Sequence, residues 1–176
     1  MANWYTADLH LNHQNVIRYC NRPFATAAEM DRAYIETLKS CIGPRDDLWI
    51  LGDVAMIWNA PHREYIAALF REVAGRKHLV TGNHDNRHTA KLGWASVQQI
   101  AELRDDGTRL VLCHYPMLSW PRMHNGAVHL FGHVHTEYPG YRGAVNVGVD
   151  QWDHRPVRID EILDRERHLP ERPRIV

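Results

Sequence analysis

Net charge is the first thing this sequence lacks: 21 lysines and arginines stand against 21 aspartates and glutamates in 176 residues. No excess of either sign calls for nucleic acid, an anionic membrane or an acidic partner. Cysteine is scarce as well. Cys20, Cys41 and Cys113 form neither an even disulfide framework nor a close-spaced zinc pair, which suits a reducing compartment and buried or half-buried thiols. No run approaches the roughly 18 apolar residues of a membrane span, and the opening Met1-Ala2-Asn3-Trp4-Tyr5 lacks the basic-then-apolar order of an export signal. A cytoplasmic protein with no membrane partner is expected. Repeats, low-complexity tracts and Gly/Ser linkers are also missing, so the expectation is one domain over 1–168 followed by a loose Pro- and Arg-rich tail over 169–176.

Histidine is what the chain has in excess, with 13 in 176 residues. Around them, apolar segments of two periodicities alternate, the pattern of an α/β fold. Strands are expected at Trp4–Ala7, Leu48–Leu51, His78–Thr81, Val97–Leu103, Arg109–Cys113, Val128–Phe131, Ala144–Val147 and Val157–Ile159, with Asp106-Gly107 as a hairpin turn. Thr26 and Glu29 make a capping box ahead of Met30, Ala33, Tyr34, Leu38 and Ile42, whose spacing gives one apolar face before Gly43-Pro44 stops the helix. A second helix is expected from near Pro61 to Val73, and a shorter one from Asp160.

The informative residues fall just after strands. Asp8-Leu9-His10, Gly52-Asp53, Gly82-Asn83-His84-Asp85, His114 and Gly132-His133-Val134-His135 each follow an apolar run, and strand ends are where ligands bind in open α/β sheets. Asp8 with His10, and His133 with His135, are two apart, so in an extended chain each pair would project to one side. The glycines at 52, 82 and 132 leave room for a close approach of backbone to ligand. Single motifs of this length are common; five in this order are specific.

That ordered set resembles the calcineurin-like metallophosphoesterase family, and Asp8-Leu9-His10-Leu11-Asn12-His13-Gln14-Asn15 and Asn146-Val147-Gly148-Val149-Asp150 are similar to its compact prokaryotic and phage branch. The resemblance implies a four-layer α/β/β/α sandwich, two mixed β-sheets flanked by helices, with a dimetal site at one edge. It implies that Asp8, His10, Asp53 and His135 hold one divalent cation and that Asp53, Asn83, His114 and His133 hold the second, Asp53 bridging. Two carboxylates against four positive charges would leave such a site electropositive, acidifying a bridging water toward hydroxide for attack on phosphorus. His84 is then the general acid for the leaving group, with Asp85 orienting it.

His13, Arg18 and Arg22 follow the first motif and are candidates to bind substrate phosphate. Trp58, Trp120 and Trp152 fit core packing or loop pinning better than base stacking. One departure matters: protein phosphatases of the family carry an arginine soon after the second motif, whereas here the stretch is Asp53-Val54-Ala55-Met56-Ile57-Trp58-Asn59. That shifts weight toward a phosphodiester or small nucleotide. Imidazole and oxygen ligands suit Mn, Fe, Zn, Co or Ni, with manganese the expected metal. A nuclease is a further reading, disfavoured by the balanced charge, and a catalytically silent binding or scaffold module of the same fold is another.

Overall fold

The expected strands sort into two sheets. In the computed structural model, which describes residues 1–172, β1 (Asn3–Thr6), β2 (Asp47–Ile50), β3 (Arg76–Val80) and β4 (Ser96–Gln98) lie in that order with every neighbour parallel. β5 (Ile100–Asp105), β6 (Thr108–Cys113), β7 (Val128–Phe131), β8 (Gly140–Tyr141) and β9 (Ala144–Asn146) form a mixed sheet in the order β5-β6-β7-β9-β8. Two sheets flanked by helices match the expected architecture, but the first sheet is wholly parallel, not mixed. Its strands are joined by crossovers carrying α1 (Gln14–Tyr19) and α2 (Ala27–Cys41), then α3 (Ala60–Glu72), and a helical crossover returns the chain in the same direction. Antiparallel pairing enters the second sheet at the Asp106-Gly107 hairpin, which joins β5 to β6, and between β8 and β9.

Three expectations are corrected. The single strand foreseen over Val97–Leu103 is two strands: β4 pairs with β3 in one sheet, and β5 pairs with β6 in the other. Val157–Ile159 is not a strand. Val157 makes one isolated bridge to Tyr5, and Ile159 already begins α4 (Ile159–His168). The tail is partly tied down, because Leu169 packs against the inter-sheet core and Pro170 O accepts from Arg142 N at 2.9 Å. Residues 173–176 of that tail lie outside the described residues.

Local chemistry fixes the helices. Thr26 accepts from Glu29 N at 3.2 Å, and the Glu29 carboxylate reaches back to Ala25 N at 2.9 Å, so α2 starts where its capping residues satisfy the free amides. Asn59 caps α3 through His62 N at 2.9 Å. The apolar faces of α2 (Met30, Tyr34, Leu38) and α3 (Ile66, Leu69, Phe70) then cover the parallel sheet. Neighbouring strand residues divide between two cores by the period of two: Ile50 and Leu79 face the helices, whereas Leu51 and Val80 face the second sheet with Leu112, Leu130 and Val145. The outer face of the mixed sheet is covered by Trp120 with Val111, Phe131 and Tyr141, while α4 packs against β1 and β9. Trp120 and Trp152 are core residues, as expected, and Trp58 is exposed. Among the described residues no helix is long and apolar enough to cross a membrane.

Candidate metal centre

Beyond the ends of β1 and β2 the two loops stay joined. Asp8 N donates to Gly52 O at 3.1 Å, His10 N to Asp53 O at 2.9 Å and Leu11 N to Val54 O at 2.9 Å. The first and second motifs are thereby locked in register. The chain is not extended there, contrary to the simple alternation argument: Asp8, His10, Asp53, His133 and His135 all have left-handed backbone, with φ of 58°, 50°, 53°, 72° and 47°. Left-handed φ at a residue other than glycine is strained, and strain of this kind gathers at functional sites where the surrounding hydrogen bonds enforce it. The expected room beside the glycines is present. A Cβ at Gly82 would stand 2.4 Å from Asp53 Oδ1, and one at Gly132 would stand 2.6 Å from Asp8 Oδ2.

These loops bring all seven motif residues together. Ligand atoms of Asp8, His10 and His135 lie within 4.8 Å of one another, as do those of Asp53, His114 and His133. Asp53 stands between the groups: its Oδ2 is 3.5 Å from His10 Nε2 and 3.5 Å from His114 Nε2. Asn83 joins the second group, its Oδ1 3.0 Å from His114 Nε2. His114 gives its Nδ1 to Leu51 O at 2.8 Å, so a neutral ring donates there and Nε2 carries a lone pair. Three acceptors, His114 Nε2, Asn83 Oδ1 and Asp53 Oδ2, then face one another with no proton among them. His10 Nε2 is buried and makes no hydrogen bond. Converging acceptors and an orphaned buried nitrogen are what a cation would satisfy, and the donor set of imidazole, carboxylate and amide fits a borderline divalent metal.

In the metal-free chain His10 and His114 are held neutral, whereas His135 is held protonated. Burial lowers the His10 pKa to about 2, keeping the ring neutral. Burial likewise holds His114 below the ordinary histidine range. Burial raises Asp8 to about 7, partly offset by the charge of His135. For His135 burial acts downward, but hydrogen bonds to Asp150 and Cys20 and the charge of Asp8 prevail and raise it to about 10.

The remaining expected residues divide. The His84 side chain is 41% exposed, with Nε2 4.0 Å from Asp53 Oδ2, while its main-chain N–H donates to Asp53 Oδ1 at 2.9 Å. Its ring therefore stands at the mouth of the cluster. Asp85 does not hold that ring: its oxygens accept the main-chain amides of Gly82 (2.9 Å), Asp53 (2.9 Å) and Val54 (3.0 Å), fixing the loop that carries Asp53. His13 is half-buried, its Nδ1 3.3 Å from His10 Nδ1 and its ring centroid 6.2 Å from that of His84. Arg18 is exposed at the end of α1 over the Tyr19 ring, and none of its contacts reaches the cluster. Arg22 is removed as a phosphate ligand. It is 4% exposed, and its guanidinium is committed to Asp150 and to the carbonyls of Leu9 and Asp8.

Two residues were missed as parts of the site. Asp150 accepts from His135 Nδ1 at 2.7 Å, and buried Asn146 donates to His135 O and Tyr138 O while accepting from Gly148 N. The signal was in the sequence: Asn146-Val147-Gly148-Val149-Asp150 follows a strand and carries a glycine and polar residues as the other motifs do.

A parallel and a mixed sheet whose strand ends gather aspartate and histidine around one shared carboxylate are the arrangement that the sequence resemblance to the metallophosphoesterases implies. No protein-family model matches the chain. It is 30% identical to uncharacterized protein MJ1445 of Methanocaldococcus jannaschii, over 89% of this chain and 86% of that one. It is also 30% identical to the gene 66 protein of Mycobacterium phage L5, over 97% of each. Among solved structures it is similar to AQ665, a protein of unknown function from Aquifex aeolicus, at 24% identity and a TM-score of 0.76, covering 93% of this chain and 98% of that one. That last likeness shows the shared fold. The chain belongs to one family with MJ1445 and the phage gene 66 protein.

Proposed function

We propose that this protein is a phosphoesterase that binds two divalent cations, manganese foremost, and hydrolyses a phosphodiester or small nucleotide in the cytoplasm. The observation that carries the reading is the position of Asp53, whose one carboxylate faces His10 on one side and His114 on the other. Asp8, His10, Asp53 and His135 would hold one cation, and Asp53, Asn83, His114 and His133 the other. Such a pair supplies positive charge to phosphate oxygens and a nucleophile at neutral pH.

The chain's own residues account for the rest. His84, at the open mouth, holds a proton at Nε2 for the departing alkoxide, where general-acid assistance contributes about 10²–10⁴-fold. Asp85 acts one step back, fixing the amides around Asp53 instead of the His84 ring. His13, beside both His10 and His84, is positioned to contact a substrate phosphate. The stretch after Asp53 lacks the arginine with which protein phosphatases of the family grip the phosphate, which favours a small diester.

The test is hydrolysis of bis-p-nitrophenyl phosphate and of the monoester p-nitrophenyl phosphate, with and without Mn²⁺, by the wild type and Asp53→Asn. Metal-dependent diester cleavage that the variant loses is the expected outcome. A metal-loaded protein that cleaves neither ester would replace this reading with that of a silent binding module.

A further inference from the structure

One buried ion pair has no part in the chemistry above. Arg22 directs Nε and Nη2 to the two oxygens of Asp150 at 2.7 and 2.8 Å, with both side chains at most 1% exposed. Two further donors go to main-chain oxygens of the first motif, Nη1 to Leu9 at 3.0 Å and Nη2 to Asp8 at 2.7 Å, and Nη1 also meets Met30 Sδ at 3.4 Å. Asp150 Oδ2 also accepts from His135 Nδ1 at 2.7 Å. One guanidinium thus ties the Asp8-Leu9-His10 backbone to the carboxylate that grips the His135 ring. Those are the two halves of one ligand group, brought together from distant parts of the chain. The other group is secured differently, His114 Nδ1 resting on the carbonyl of Leu51.

We propose that Asp150 and Arg22 are positioning residues for the first cation site. Asp150 fixes His135 with its proton on Nδ1, so that Nε2 is the nitrogen presented beside Asp8 and His10. Arg22 in turn fixes Asp150 against the loop that carries those two ligands. This rests on the reading that Asp8, His10, Asp53 and His135 hold a divalent cation. A carboxylate suits the position because it only accepts; an amide there could donate to Nδ1 and turn the proton toward the metal side. Partners that orient a ligating histidine are worth about 10–100-fold in metal affinity.

A competing arrangement uses the same corner. Cys20, His135 and Asp150 also offer ligand atoms within 4.8 Å of one another. A cation there would take His135 through Nδ1 and would have to break its 2.7 Å hydrogen bond to Asp150 Oδ2. That intact hydrogen bond favours the brace over a thiolate site.

Two measurements on the full chain decide between them. In a calorimetric Mn²⁺ titration the wild type takes up two equivalents. Asp150→Asn weakens one binding event by about 10–100-fold and leaves the other unchanged. Unchanged affinity at both sites, or equal loss at both, overturns the brace while the metal reading stands. A wild type that takes up no Mn²⁺ overturns the metal reading and the brace with it. Should the variant fail to fold, the wild type loaded with Zn²⁺ gives the answer by long-range proton–nitrogen histidine NMR. His135 protonated at Nδ1 and coordinated through Nε2 is the expected result; coordination through Nδ1 would overturn the proposal.

Discussion

At Asp53 three imidazoles approach one carboxylate oxygen, His10 and His114 at 3.5 Å and His84 at 4.0 Å. The three are not equivalent. His10 and His114 are buried and have lowered pKa values through burial, as ligands should, whereas His84 is open to solvent at the mouth. Replacing His84 by asparagine is therefore expected to lower kcat by about 10²–10⁴-fold while leaving Mn²⁺ affinity unchanged, a separation that paired kinetic and calorimetric measurements would resolve. Loss of metal affinity in that variant would move His84 into the ligand set. Protons also compete with metal at this scale. His135, raised to about 10 chiefly by Asp150 and Cys20 against the opposing effect of burial, carries a proton at pH 7 in the metal-free chain. Its raised value means that the charged form stabilises the fold fully below the ordinary histidine range, and that this contribution is lost as pH rises through about 10. Cation binding must displace that proton. About one proton or more per chain should be released on Mn²⁺ loading at pH 7, measurable by calorimetry in buffers of different ionisation enthalpy, and occupancy should fall below about pH 6. Full occupancy at pH 5 would contradict a histidine-rich site.

Elements differ in how openly the sequence shows them. β1, β2, β6 and β7 and the Leu79-Val80 end of β3 are short, largely apolar segments bounded by turn or motif residues, and α2 and α3 have caps and one apolar face, so periodicity and turn chemistry alone reveal them. The division between β4 and β5 is not visible in this way, because the chain passes from one sheet to the other at Gln99 without a glycine or proline to mark the step. α1 has six residues and no side-chain cap, and its start is set by the loop locked to β2 and not by propensity. The parallel sheet also carries an ion pair that periodicity does not reveal. Asp47 on β2 accepts from Arg76 at 2.7 and 2.8 Å and from His78 at 2.9 Å, both on β3, and these bonds outweigh burial to hold its pKa below the ordinary range. A depressed carboxylate contributes stability above its unfolded pKa and loses it as pH falls through the folded value. Asp47→Asn should lower stability at pH 7 by about 1 kcal/mol, the Arg76 end being open to solvent. Thermal melts should show the gap to wild type closing as pH falls below the carboxylate range; a constant gap would assign the effect to shape and not charge.

Across the whole molecule, the candidate ligand positions are legible in the sequence because each motif sits at the end of a strand, and the fold does no more than bring those ends to one edge. What stayed hidden depends on distance. Arg22 reads as a candidate phosphate ligand until Asp150, far along the chain, is seen to bury it. Asp85 reads as a partner for its neighbour His84 until the loop around Asp53 folds onto it. In both cases local sequence offered the charge but not its partner. The two ligand groups around one carboxylate are the centre of the account, and anomalous diffraction from crystals grown with Mn²⁺ tests them most directly. Two manganese peaks flanking Asp53, about 3.5–4 Å apart, are predicted; a single peak in the Cys20, His135 and Asp150 corner, or none near Asp53, would contradict it.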